Sequence, residues 1–261
     1  MIVSTLHFLK KNQIIALIIN LLFLITFYIF GFKILQEIVI ENIIIGLFIV
    51  CSPLFRGKII DKYLGETFFR SILKLIPLIM ICFNNYKAMN IFFRYNFHDS
   101  LLIIYTIFGI VCIYLIYNLE SKKFIHNANN LILLKLMPNY KIQWYCAQLL
   151  LLIGGAILEE VYRCWIFFRL FKIVNYFVLG IINIMYFEIY HYFSIYRNKI
   201  ILKELILRGI LSCLCLVALL IFKSVIVCII FHVIFNSSQI KYVMNLYFIK
   251  KRGKNKIVFK L

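Results

Sequence analysis

Long apolar runs recur along the whole chain, and their length restricts the fold more than any other feature of the sequence. A helix of about 17–25 apolar residues crosses the roughly 30 Å hydrocarbon layer of a bilayer. About eight stretches have that character: Ile14 to Phe32, Ile38 to Phe55, Phe68 to Phe83, Leu101 to Leu119, Tyr145 to Phe171, Ile173 to Phe193, Leu205 to Phe222 and Ser224 to Val243. The expected fold is all-α, a polytopic transmembrane bundle of about eight spans. The third stretch is short and contains Lys74 and Pro77, so a kink or an interfacial position is expected there. The fifth is longer than a bilayer requires and is expected to begin along the surface.

Composition agrees with this class, because 64% of the residues are hydrophobic and only 15% charged, too apolar for one soluble core. No repeat or long linker divides the sequence, so residues 1–261 read as a single integral membrane domain. The net charge of +19 comes from cations dispersed over the connections rather than gathered on one soluble face, which excludes nucleic acid as a partner. With eight alternating spans, Lys10, Lys11, Arg56, Lys58, Lys62, Lys122, Lys123, Lys135, Lys141, Arg197, Lys199, Lys203 and the basic tail from Lys250 fall on one side. Lys33, Lys87, Arg94, Arg169, Lys172 and Lys223 fall on the other. The bias, roughly three to one over all the connections, predicts a multi-pass protein of the cell membrane with both termini cytoplasmic. The eight cysteines include no C-x-x-C pair and read as small buried hydrophobes.

Polar residues enter the apolar runs from Tyr145 onward. An ionised side chain at the bilayer centre costs about 3 kcal/mol even on lenient insertion scales, so such residues face a polar cavity and serve function. The acids placed at depth are Glu159, Glu160 and Glu188. In "AILEEVYRCWIFF", Glu159 and Arg163 stand four apart in the acid-first order that favours pairing on one helical face. That pairing leaves Glu160 less compensated and makes it a candidate general base. "FEIYH" sets Phe187 one turn before His191, and "HVIFN" sets His232 one turn before Asn236.

Taken singly, each pair has a structural explanation, as a buried salt bridge or as hydrogen-bonding glue between helices. Together, three helices supply carboxylates, imidazoles and an amide, the inventory for activating water and stabilising an oxyanion. Helical rise from the assumed span ends puts His191 nearer the inner face than His232, so a tilt, or a bend near Gly180, is required to bring them level. H-E-x-x-H, G-x-S-x-G and phosphate-loop motifs are absent from the sequence.

A double glutamate with a downstream arginine, then F-x-x-x-H, then H-x-x-x-N, on successive late spans, resembles the CAAX-protease and bacteriocin-processing family of membrane endopeptidases, also called the Abi family. The resemblance covers roughly residues 145–243. It implies a polar catalytic chamber among the later helices in which a peptide precursor or membrane-associated protein tail is hydrolysed. Glu159 or Glu160, with His191, would activate water. His232 and Asn236 would hold the oxyanion, Arg163 would anchor the acids and Phe187 would shape the pocket wall. Members are described both as metalloproteases and as metal-free enzymes, so a divalent metal such as zinc is open and no cofactor is certain. The family motif is E-E-x-x-x-R, whereas this chain has E-E-x-x-R, which brings Arg163 about 100° early around the helix. The alternative is a non-catalytic bacteriocin-immunity or peptide-binding protein on the same scaffold. A transporter using these groups as an ion path would show paired interrupted helices in matching halves, which the sequence lacks.

Overall fold

The computed structural model describes residues 11–51, 66–93, 99–128, 142–194 and 202–253. Among the described residues the architecture is all-α. In chain order the helices are α1 (Lys11–Ile29), α2 (Lys33–Cys51), α3 (Glu66–Met89), α4 (Ser100–Ala128), α5 (Ile142–Leu149), α6 (Gly155–Leu170), α7 (Tyr176–Ser194), α8 (Leu202–Ile221), α9 (Val225–Phe235) and α10 (Ser237–Gly253). A single 3₁₀ turn, Asn90–Phe93, follows α3, and a π turn, Leu150–Gly154, joins α5 to α6. Lys10, Arg56, Lys58, Lys62, Arg94, Lys135, Lys141, Arg197, Lys199 and the end of the basic tail lie outside the described residues.

Over the described residues each apolar run expected from the sequence is largely helical, with shifted ends. The fifth run is α5, the π turn and α6 in succession. The eighth is not one helix: α9 stops at Phe235, and α10 leaves at 49° from Asn236. Pro77 is accommodated inside α3, where it withholds one backbone donor from the helical ladder. Among the described residues one helix, Lys33–Cys51, is by itself long and apolar enough to cross a membrane, and a second is gained if the bent α9–α10 pair counts as one span. Shorter apolar stretches include Ser100–Leu115 and Ile206–Ile221. In α6 the apolar sequence is interrupted by Glu159, Glu160, Arg163 and Arg169.

These interruptions sit at the centre of the molecule. α6 packs against α2, α3, α7 and α9, and it buries Glu160 and Arg163 together with Val161, Cys164, Phe167 and Leu170. α9 lies against α4, α6 and α8 and buries Val227, Cys228, Phe231 and His232. The approach of α4 to α9 depends on a missing side chain: a Cβ on Gly109 would stand 2.2 Å from Phe231 Cζ. Only glycine lets that ring occupy the seam. Outward, the polarity is reversed. Ile104, Phe108, Val111 and Leu115 form an i, i+4, i+7, i+11 stripe on α4 that is exposed along its length.

Candidate active site

Two helical stripes build the site. On α6, Glu159, Tyr162, Arg163 and Ile166 occupy i, i+3, i+4 and i+7, and on α7, Asn183, Tyr186, Phe187 and His191 occupy i, i+3, i+4 and i+8. Both spacings follow one face of a 3.6-residue helix. The stripes meet across a gap lined by Glu159, Tyr162, Arg163, Ile166, Asn183, Tyr186 and Phe187. The space for a small molecule's centre there is about 10 Å³, on the order of one water.

α9 closes the arrangement with His232. Its Nδ1 lies 2.7 Å from Glu160 Oε1, and its Nε2 lies 3.7 Å from Glu159 Oε2. His191 Nε2 approaches the same Glu159 oxygen at 3.8 Å. An ionised carboxylate only accepts hydrogen bonds, so the short contact to Glu160 assigns the proton of neutral His232 to Nδ1 and turns the Nε2 lone pair toward Glu159. The ring centroids of His191 and His232 are 6.4 Å apart, and Phe187 packs against both, at 4.4 Å and 5.7 Å. The Arg163 guanidinium lies 3.7 Å above the Phe187 ring. The stack keeps that cation in place through the negative face of the ring.

Several expectations change on this geometry. The ion pair of Arg163 is with Glu160, three residues back, Nε to Oε2 at 3.2 Å, rather than the expected one with Glu159. Glu160 is therefore the enclosed member, fully buried between Arg163 and His232, and Glu159 is the carboxylate that reaches the gap. The two imidazoles lie side by side, and α7 continues as one helix through Gly180. Gly180 instead admits α8, where an added Cβ would meet Leu216 at 2.9 Å. Asn236 is not turned to the acids. It caps α9, and its Nδ2 donates to Leu152 O in the π turn at 2.9 Å. A π turn disturbs the regular i to i−4 ladder, and this amide anchors one of its carbonyls.

Residues not singled out in the sequence complete the lining. The Tyr162 and Tyr186 hydroxyls, Asn183 Oδ1 and the terminal nitrogens of Arg163 are buried and have no hydrogen-bond partner in the protein. Asn183 Nδ2 donates to Arg163 O at 3.4 Å. A second charge pair, Arg208 Nε to Glu188 Oε2 at 3.2 Å, joins α8 to α7. Asn183 shares the heptad-like spacing of Phe187 and His191, and Tyr162 adjoins Arg163, so helical periodicity was the available signal for both.

The side chains allow a metal to be considered. The ligand atoms of Glu159, His191 and His232 all lie within 4.8 Å of one another, as do those of Glu160, Cys215 and Cys228. In the second set Glu160 already faces Arg163 and His232, and the Cys228 thiol donates to Cys215 O at 3.4 Å. The first set has the His₂Glu composition of a catalytic zinc site, with Glu160 in the supporting position behind an imidazole. No family model, curated protein or solved structure matches the chain.

Proposed function

We propose that this protein is a membrane-embedded endopeptidase that hydrolyses a peptide precursor or a membrane-associated protein tail. The observation that carries the reading is the placement of the Glu159 carboxylate between two imidazoles from two other helices, with Glu160 orienting one of them. Glu159 accepts a proton from the water that attacks the amide carbonyl and delivers that proton, directly or by way of the neighbouring His191, to the leaving amine as the C–N bond breaks. His232, with Nδ1 directed to Glu160, turns Nε2 toward Glu159, where it can accept a hydrogen bond from the attacking water and orient it beside the carboxylate. Arg163 balances the charge of Glu160, so the ionised acid behind the site persists in a buried position. Glu159, His191 and His232 would hold a divalent cation such as zinc, and such an ion, when bound, supplies Lewis-acid polarisation.

A multi-pass location in the cell membrane, with about eight spans, is part of the same proposal. Its support is the reversal of polarity: charged groups gathered around α6 and large apolar side chains along the outside of α4.

The test is cleavage of a randomised pool of internally quenched peptides by the full chain in lipid nanodiscs. Cleavage should disappear in Glu159→Gln and fall sharply in His191→Ala and His232→Ala. Addition of a chelator separates metal-dependent from metal-free hydrolysis. A second reading, a non-catalytic immunity or peptide-binding protein, is favoured by one observation, the commitment of Asn236 to Leu152 O rather than to the gap. Protection of a producing cell against a membrane-active peptide that survives all three substitutions would select it.

A further inference from the structure

The gap beside Glu159 has room for about one water, and a peptide segment is many times larger, so a substrate reaches the carboxylate only if part of the wall moves. The helices that carry the site are tied into the main core by buried apolar side chains, Val161 and Phe167 on α6, Leu179 on α7, Val227 and Phe231 on α9. The buried side chains of α5 and α10 form a second, smaller cluster. Tyr145 and Val243 pack there with Leu149, Leu152 and Tyr247, and the Tyr145 and Tyr247 rings meet edge to face at 5.5 Å. α3 flanks α5 on one side of this pair and α4 flanks α10 on the other. Elements held by few buried apolar contacts open at lower free energy than the core they adjoin.

Both helices join the site helices through a break in the regular ladder. α5 meets α6 at the π turn Leu150–Gly154, which ends little more than one turn before Glu159. α10 leaves α9 at 49° from Asn236, one turn beyond His232. The two breaks stand at one level, because Asn236 Nδ2 donates to Leu152 O across them at 2.9 Å. The donor belongs to the site: Asn236 caps α9, its backbone N–H reaching His232 O at 3.0 Å. The acceptor belongs to the pair, since the Leu152 side chain packs in the α5–α10 cluster. Movement of the pair away from the site therefore breaks this one bond between them and leaves the ladders of α6 and α9 intact. Such interruptions are where helices bend and where functional movement is commonly sited.

We propose that α5 and α10 form a paired gate, hinged at the π turn and at the α9–α10 bend and latched by Asn236 on Leu152 O, whose opening uncovers Glu159 and His232 to a peptide segment. The gate stands on the geometry of the two breaks, and the peptide as what it admits rests on the endopeptidase reading. Asn236 is then a positioning residue, which holds the closed state without touching the reacting atoms.

Backbone hydrogen exchange, followed by mass spectrometry on the full chain in lipid nanodiscs, tests the gate. Segments from α5 and α10 should exchange at one shared rate, faster than those from α6 and α7. Asn236→Ala removes the latch and should speed exchange in both helices together by about 3–10-fold, the equivalent of one hydrogen bond, while α6 and α7 keep their protection. Tyr145→Ala, which empties the cluster between the two helices, should split the shared rate in two. Protection of α5 and α10 equal to that of α6 overturns the gate. Acceleration in Asn236→Ala of α10 alone, or of the whole chain, overturns it as well. Exchange is measured without cleavage, so a gate that opens as described in a protein that hydrolyses no peptide in the pool overturns the endopeptidase reading by itself.

Discussion

Helix α6 carries two arginines, each meeting glutamate, and their surroundings differ in a way that separates scaffold from site. Arg169, in the last turn, reaches both Glu37 and Glu41 of α2, the latter at 3.1 Å, and lies beside Trp165. Each terminal nitrogen of that guanidinium has a carboxylate, and Glu37 is 61% exposed. Arg163, two turns earlier, is 2% exposed, approaches one carboxylate through Nε and leaves its terminal nitrogens buried without a hydrogen-bond partner. Each arginine has two nearby acids. At Arg169 both are used to bind the cation, whereas at Arg163 one acid balances the charge and the other faces imidazoles. Saturated donors make a clamp. Unsaturated donors beside a buried acid make a candidate site.

Substitutions can break this contrast. The largest effect on folding is expected from Arg163→Met, which leaves Glu160 buried without its counter-charge. A loss of about 3–5 kcal/mol follows from removing one partner of a buried pair, to be read by thermal unfolding in detergent. Next comes Glu159→Gln, isosteric and expected to fold normally, with peptide hydrolysis reduced by about 10²–10⁴-fold if the carboxylate is the base. Asn236→Ala should cost about 1–3 kcal/mol of stability by stranding the Leu152 carbonyl. Its activity should fall less than that of His232→Ala, which would separate the two residues that the family resemblance pairs. The smallest change is expected at the clamp. Glu37→Gln should alter stability by less than about 1 kcal/mol, and the change should shrink with added salt because that acid is solvent-facing. A loss there comparable to that of Arg163→Met would remove the distinction between the two arginines.

Much of this was legible in the sequence for a definite reason. Apolar runs report helices directly, and over the described residues all eight runs are largely helical. Charged residues inside apolar runs are rare enough that Glu159, Glu160, Arg163, His191 and His232 stood out, and the fold brings all five together. Which acid Arg163 would choose was not legible, since i+3 and i+4 partners are nearly equidistant on a helix and the rotamer is set by packing against Phe187. The destination of Asn236 was hidden because the π turn that receives it interrupts a run that reads as uniform helix. Tyr162, Tyr186 and Asn183 resembled ordinary membrane aromatics and glue. Arg208, near the start of α8, went unnoticed because its partner Glu188 is on another helix.

Gly109 shows how far the control of this geometry extends. The residue offers no functional group and sits on a helix that contributes nothing to the gap, yet its hydrogen is what Phe231 rests against. Phe231 is the covalent neighbour of His232, so the thickness of residue 109 gauges how far the imidazole's helix stands from the rest of the bundle. A methyl group there would be transmitted along one peptide bond to the ring that Glu160 orients. The spacing of the imidazole from the acids is thus calibrated from outside, by the smallest side chain available.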